Sequence, residues 1–208
     1  MFEAFDVSYS RIQKKSLVEL YGLRKRTFSD RLGWKVVCSR GMEFDEFDNP
    51  TTQYILGLYQ GQIICSVRLI NLDRPNMITH TFYELFKDIS LPSHGIESSR
   101  FFVDKERARQ AFGESFPISK ALFLAMINWA QQNKYEGIYT VVSKAMTIIL
   151  KRSGWKVKVL KEAYLTEDEK IYLLYLPAGK KDQEHMVSCI AEQIGKAPEA
   201  IWPLKMSV

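Results

Sequence analysis

Two runs rich in β-branched and aromatic residues, 54–59 and 62–71, are separated only by Gln60 and Gly61. A two-residue link containing glycine joins such runs as a tight antiparallel hairpin, which commits the chain to a sheet. Within the second run Ile64, Ser66, Arg68 and Ile70 share one face, because side chains alternate along a strand. Beyond the hairpin, extended and helical periods take turns. Residues 73–76 form a turn, 79–86 read as a short helix and 96–103 as a third strand. From Pro117, which suits a helix start, Leu122, Phe123, Met126, Trp129 and Ala130 recur at helical spacing. Gly137 introduces a strand over 138–143, and a helix over 144–152 closes at Gly154. Strands are expected over 155–164 and 170–176, then a helix around 185–194 and a tail without a usable pattern.

Before the hairpin, residues 18–32 place Leu20, Tyr21, Leu23, Phe28 and Leu32 at helical spacings with arginines and lysines between them. This predicts an amphipathic helix ended by Gly33. Residues 38–50 are polar, acidic and glycine-containing, close on Asn49-Pro50, and read as an ordered loop. The expected fold is therefore mixed α/β (α+β), a mainly antiparallel sheet flanked by helices. No repeat, linker or low-complexity stretch divides the chain, so one domain is expected over residues 1–208.

Composition narrows the function classes. No apolar run is long enough to span a bilayer, and the N-terminus lacks the layout of a signal peptide, so a cytoplasmic protein is expected. Cys38, Cys65 and Cys189 are scattered, as are His80, His94 and His185, and neither set has the spacing of a metal site. A formal net charge of +5 is compatible with a polyanionic partner or with a merely solvated surface. A nucleic-acid regulator would need a helix-turn-helix or a basic, aromatic-rich sheet face, and neither pattern stands out.

Arg24, Phe28, Arg31, Leu32 and Trp34 are followed by Glu43-Phe44-Asp45-Glu46-Phe47-Asp48, then by Arg68 in Ser66-Val67-Arg68-Leu69 and by Glu97-Ser98-Ser99-Arg100-Phe101. This series resembles the signature of the autoinducer synthases, the acyl-homoserine-lactone synthases, and residues 117–176 resemble the family more loosely. The resemblance implies a fold similar to the GCN5-type N-acetyltransferases. It also implies a reaction: an acyl group passes from an acyl carrier protein to the amine of S-adenosylmethionine, and the lactone then closes with loss of methylthioadenosine. No tightly bound cofactor is implied, since S-adenosylmethionine is a substrate.

That substrate offers a sulfonium, an amine, a carboxylate and a stackable adenine, which call for carboxylates, a guanidinium and aromatic surface. Arg24 and Phe28, one helical turn apart, share a face, and Trp34 lies just beyond. Asp45 and Asp48 either favour the cationic part of the substrate or pair with Arg24, Arg68 and Arg100 to hold the loop closed. Glu97 is the candidate general base, and Arg100 joins it in the catalytic set; a plain Glu97–Arg100 ion pair is the alternative. A regular strand would put these two on opposite faces, so a shared site demands a bulge.

For the acyl chain, a pocket is expected between the helix from Pro117 and the strand over 138–143, lined by Ser98, Phe123, Met126, Thr140 and Val142; plain core packing is the alternative. The Thr140 hydroxyl could donate to a 3-oxo group, a pairing the resemblance also implies. Lys144, Lys151 and Arg152 are candidates for docking an acidic carrier protein, with a merely solvated face as the alternative. The main rival is an acyl-CoA-dependent N-acetyltransferase of the same fold. Its customary pyrophosphate loop, Arg/Gln-x-x-Gly-x-Gly/Ala, is missing after Val103, where Gly113 is the only glycine in residues 104–113.

Overall fold

The computed structural model describes residues 1–207. Its first strand, β1 (Phe2–Ser8), escapes the sequence reading, although buried Phe2 and Ala4 alternate there with exposed Glu3. Helix α1 (Lys14–Arg24) begins four residues before the expected start at Val18, and residues 25–31 continue it with π geometry. The Leu32 amide bonds back five residues to the Thr27 carbonyl, and Lys25 pairs with Asp30, also five residues on. Gly33, at φ +66°, ends the helix where expected.

Residues 38–50 form the anticipated loop, interrupted by a small pair of strands, β2 (Cys38–Ser39) and β3 (Met42–Glu43). The hairpin follows as β4 (Gln53–Tyr59) and β5 (Gln62–Asn71), turning at Gln60 and Gly61, both at positive φ. The expected helix over 79–86 is two pieces, a π turn at Met77–Thr81 and α2 (Tyr83–Phe86). It starts early because the Asn76 side chain accepts the free amides of Ile78 and Thr79.

Next come β6 (Ile96–Val103), α3 (Lys105–Phe112), α4 (Ile118–Gln132), β7 (Gly137–Ser143) and α5 (Lys144–Arg152). Helix α3 was not anticipated, being highly charged with only Ala108 and Phe112 buried, but the Asp104 carboxylate caps its start at the Arg107 amide, 2.9 Å away. Then follow β8 (Lys158–Tyr164), β9 (Lys170–Pro177), α6 (Lys180–Ile194) and β10 (Leu204–Met206). Strand β8 starts at Lys158 rather than Trp155, because the Trp155 ring is buried in the core and donates to the Pro177 carbonyl. Helix α6 starts five residues earlier than expected, where the Asp182 carboxylate accepts the Gly179 amide.

One eight-stranded sheet, ordered β10-β1-β4-β5-β6-β7-β9-β8, organises the molecule, with the small β2–β3 pair apart from it. Every neighbouring pair in the large sheet is antiparallel except β6 with β7. On one face, α4 and α6 cover the main core, in which Phe123 and Ile127 meet Ile55, Val67 and Ile138. On the other, α1 covers Tyr54, Leu56 and Phe102, while α2 and its π turn cover Leu173. The parallel pair touches only at Glu97–Tyr139 and Ser98–Thr140, so β6 and β7 part beyond those residues. Glu97 stands at this parting, between helical layers on either face. Among the described residues no helix is long and apolar enough to cross a membrane.

Candidate active site

Three arginines from separate elements converge under the 38–50 loop. Arg24 is the last residue of α1, Arg68 lies in the middle of β5, and Arg100 sits near the centre of β6. Arg24 reaches Glu43 at 2.5 Å and both oxygens of Asp48 at 2.7 and 3.0 Å. Arg68 reaches Asp45 at 2.5 Å and Asp48 at 3.3 Å. Arg100 joins Glu43 at 3.0 Å and Asp45 at 2.8 Å. Each guanidinium also lies over an aromatic ring: Arg24 over Tyr21, Arg68 over Phe47 and Arg100 over Phe28.

Of the two roles left open for Asp45 and Asp48, the structure displays the ion pairs with Arg24, Arg68 and Arg100. Glu43, fully buried, completes the network and was not singled out. A signal was present: Glu43 and Asp45 are two residues apart, and in extended chain such residues share a face. Tyr54, donating to Asp48 at 2.8 Å, had no such signal, because β4 meets the loop only in the folded chain.

The bulge demanded by a shared Glu97–Arg100 site is present. Between the pairs Arg68–Ser99 and Ser66–Phe102, β6 advances three residues while β5 advances two. Arg100 itself adopts φ +53°, an uncommon conformation for a residue with a side chain. This slip turns Arg100 toward the loop carboxylates on the side where Glu97 and Arg68 also lie.

Three guanidinium and three carboxylate groups balance in charge, which leaves Glu97 without a counterion of its own. Its side chain is completely buried. Burial pushes the Glu97 carboxyl up from 4.5 to about 7, against the pull of Arg68, the Ser99 hydroxyl and Arg100. Asp48 moves the other way: burial would raise it, but Arg24 and Arg68 hold it well below the usual carboxylate range. One Glu97 oxygen accepts from Ser99 at 3.3 Å, and Ser99 in turn accepts from Arg68 at 3.1 Å. The other Glu97 oxygen, Oε1, and Arg68 Nη2 are buried and find no partner among the described residues. Such orphans cost about 1–3 kcal/mol each, and more when charged. An acceptor and a donor left open at one charged site suit a ligand bearing both an ammonium and a carboxylate.

Phe28 is buried and stacks on Trp34, a residue that remains 42% exposed. The aromatic surface expected beside Arg24 is therefore present, at the edge of the network.

On the opposite face a cavity of about 850 Å³ opens between α3, the start of α4 and the end of α5. Lys105, Arg109, Lys120 and Arg152 stand around it with Glu106 and Glu114, and Phe123 forms part of its wall. Of the five residues expected to line an acyl pocket, Phe123 alone borders this cavity. Ser98, Met126 and Thr140 are buried and Val142 partly so, with the Thr140 hydroxyl donating to the Ser98 carbonyl at 2.8 Å. That bond links the two parallel strands where they part. Lys144, Lys151 and Arg152 are all exposed on α5, but only Arg152 reaches the cavity.

Known proteins share both sequence and fold with this chain. The family model described as autoinducer synthase matches residues 8–186. An acyl-homoserine-lactone synthase of Pantoea stewartii subsp. stewartii is 60% identical over 100% of both chains. One from Yersinia ruckeri is 53% identical, over 100% of this chain and 98% of its own. Among solved structures, a CoA-dependent acyl-homoserine lactone synthase with SAM and isopentyl-CoA aligns with TM-score 0.79 at 18% identity, over 94% of this chain and 90% of that one. The same protein with MTA aligns with TM-score 0.80. At that identity the likeness is one of fold.

Proposed function

The chain belongs to the autoinducer synthase family, the acyl-homoserine-lactone synthases, and from that premise we propose that it acylates S-adenosylmethionine with a 3-oxo fatty acyl group carried by an acyl carrier protein. The observation that carries the reading is the pair of buried, unpartnered atoms, Glu97 Oε1 and Arg68 Nη2, inside a charge-balanced network. S-adenosylmethionine brings two cationic groups and one carboxylate, and so supplies the positive charge that an ionised Glu97 lacks. The structural relative solved with SAM, and again with MTA, supports the same substrate.

In this reading Arg24, Arg68, Asp45 and Asp48 shape the substrate pocket, and Phe28 and Trp34 give it aromatic surface. Glu97, directly or through one water, takes the proton of the substrate ammonium. The freed amine attacks the thioester carbonyl, an N–C bond forms, the C–S bond breaks, and the carrier leaves as its thiol. Arg100 fixes the loop acids beside the reacting amine. The substrate carboxylate then attacks the carbon bearing the sulfonium, closing the lactone as methylthioadenosine departs. Holding the chain folded supplies most of what this second step needs, because both reacting groups belong to one molecule. No tightly held cofactor takes part.

The acyl donor enters from the opposite face. Its thioester arm lies in the cavity beside α3 and α4, and the acyl chain passes Phe123 toward Met126, Thr140, Val142 and Ser98. The Thr140 hydroxyl has one proton to give, so a 3-oxo oxygen must draw it away from the Ser98 carbonyl. Lys144, Lys151 and Arg152 meet an acidic carrier. A CoA thioester is the second reading, favoured by the CoA-dependent relative.

The purified protein, incubated with S-adenosylmethionine and either acyl carrier proteins or CoA thioesters bearing several acyl chains, provides the test. Mass spectrometry is expected to find 3-oxo-hexanoyl or 3-oxo-octanoyl homoserine lactone from the carrier arm. An unsubstituted product would remove the role given to Thr140, higher turnover in the CoA arm would replace the carrier, and absence of any lactone would overturn the reaction.

A further inference from the structure

Helix α3 borders the cavity on one side and on the other grips α1, the helix that ends at Arg24 of the acid–arginine network. Lys105, Glu106, Ala108 and Arg109 face the large cavity. Asp104, which caps the helix, and Arg107 instead face α1 and its π-helical end. Asp104 Oδ2 accepts from Arg26 Nη2 at 3.0 Å, while its other oxygen holds the Arg107 amide. Arg107 pairs with Glu19 of α1 and donates to the Ile63 carbonyl at 2.9 Å. Glu19 also accepts the Ile63 amide, and the Asp104 amide donates to the Ile64 carbonyl at 2.8 Å. The first turn of α3 is thus fastened both to β5 and to the helix that carries Arg24 and Phe28.

Neither Arg26 nor Arg107 contacts the acid–arginine network, and neither pair is explained by packing alone. Arg26 is half exposed, and Arg107 and Glu19 are about one-quarter exposed. What they fix is the placement of α1 relative to α3. The segment they hold ends in a π-helix, a rare geometry found frequently at functional sites.

We propose that α3 is a strut coupling the two sites, with Asp104–Arg26 and Arg107–Glu19 as its positioning pairs. An acyl donor in the cavity steadies α3. Through these pairs it steadies α1 and the π turn, and so sets Arg24 and Phe28 for S-adenosylmethionine. The proposal rests on the functional reading above, since it takes the cavity as the donor site and the acid–arginine network as the other.

The test is calorimetric titration of S-adenosylmethionine, alone and with a carrier protein bearing a hexanoyl group through an amide, which cannot transfer. In the wild type the amide-linked donor is expected to lower the Kd of S-adenosylmethionine about fivefold, the low end of ordinary coupling between sites. In Arg107→Gln and Glu19→Gln that factor falls to about one, and Arg107→Lys retains part of it. Arg26→Gln, at the most exposed position, serves as the variant least able to perturb folding, and circular dichroism checks each protein. An unchanged factor in all variants, or no coupling in the wild type, would overturn the strut while leaving the reaction intact. No S-adenosylmethionine binding by the wild type at all would overturn the functional reading and the strut together.

Discussion

The two faces of the sheet solve opposite problems. Beneath α1, three arginines and three acids are buried or nearly so and paired with one another, beside the two open atoms of Glu97 and Arg68. Beneath α3 and α5, a wide cavity is rimmed by lysines and arginines that mostly face solvent. Burial makes the first region rigid and intolerant, because a charge that loses its partner there cannot turn to water. Exposure makes the second permissive. A small, fixed substrate suits the former, and a long arm on a protein carrier suits the latter.

Replacing Glu97 by Gln tests the intolerant side most sharply. Activity is expected to fall by about 10²–10⁴, the usual contribution of a positioned acid or base, with the KM for S-adenosylmethionine changing far less. Stability should move the opposite way. Because the Glu97 carboxyl is raised in the folded protein, its stabilising influence is full below about 4.5 and is lost as pH rises through about 7. At pH 8 the Gln variant should therefore be more stable by up to about 3 kcal/mol, read from urea unfolding at several pH values. A variant no more stable at pH 8 than at pH 4.5, relative to wild type, would mean that Glu97 is not held neutral. For the same reason wild-type kcat/KM should rise with pH and level off above about 7.

Arg24→Ala takes from Glu43 and Asp48 one of their two buried guanidinium partners and should destabilise the protein by about 3–5 kcal/mol, as breaking a buried pair does. A loss under about 1 kcal/mol would show the network to be as permissive as an exposed one.

On the cavity side the effects shrink. Thr140→Val removes one hydroxyl and should shift the preference between 3-oxo and unsubstituted acyl carriers by about tenfold, roughly the worth of one hydrogen bond. Equal loss on both substrates would make Thr140 only a bridge to the Ser98 carbonyl. Arg152→Glu should raise the KM for acyl carrier protein a few-fold at low salt, with the difference vanishing at high salt and kcat unchanged. A CoA thioester whose KM shifted more than that of the carrier would redirect the role of this rim.

How much of this was legible in the chain differs between the faces. Arg24, Asp45, Asp48, Arg68, Glu97 and Arg100 could be picked out because they stand in the series that resembles the autoinducer synthase signature; spacing alone left a structural ion-pair network and a substrate pocket equally open. Glu43 was legible in its spacing and was passed over. On the other face Phe123 and Arg152 stand at the cavity, while Ser98, Met126, Thr140 and Val142 lie behind its lining, since an apolar period marks a buried face without showing whether space remains beside it. Helix α3, rich in charge and poor in core residues, offered no periodic signal, yet it borders the cavity and grips α1.

The sequence alone determined the hairpin and, α3 and β10 excepted, the strands and helices after it, because these follow from periodicity and residue type within short windows, while the resemblance marked the acids and arginines of the cluster. Only the tertiary structure decided which acid meets which arginine, the slip that turns Arg100 toward Glu97, and the two-sided role of α3. Those depend on register between strands far apart in the chain, where a shift of one residue sends a side chain to the other face.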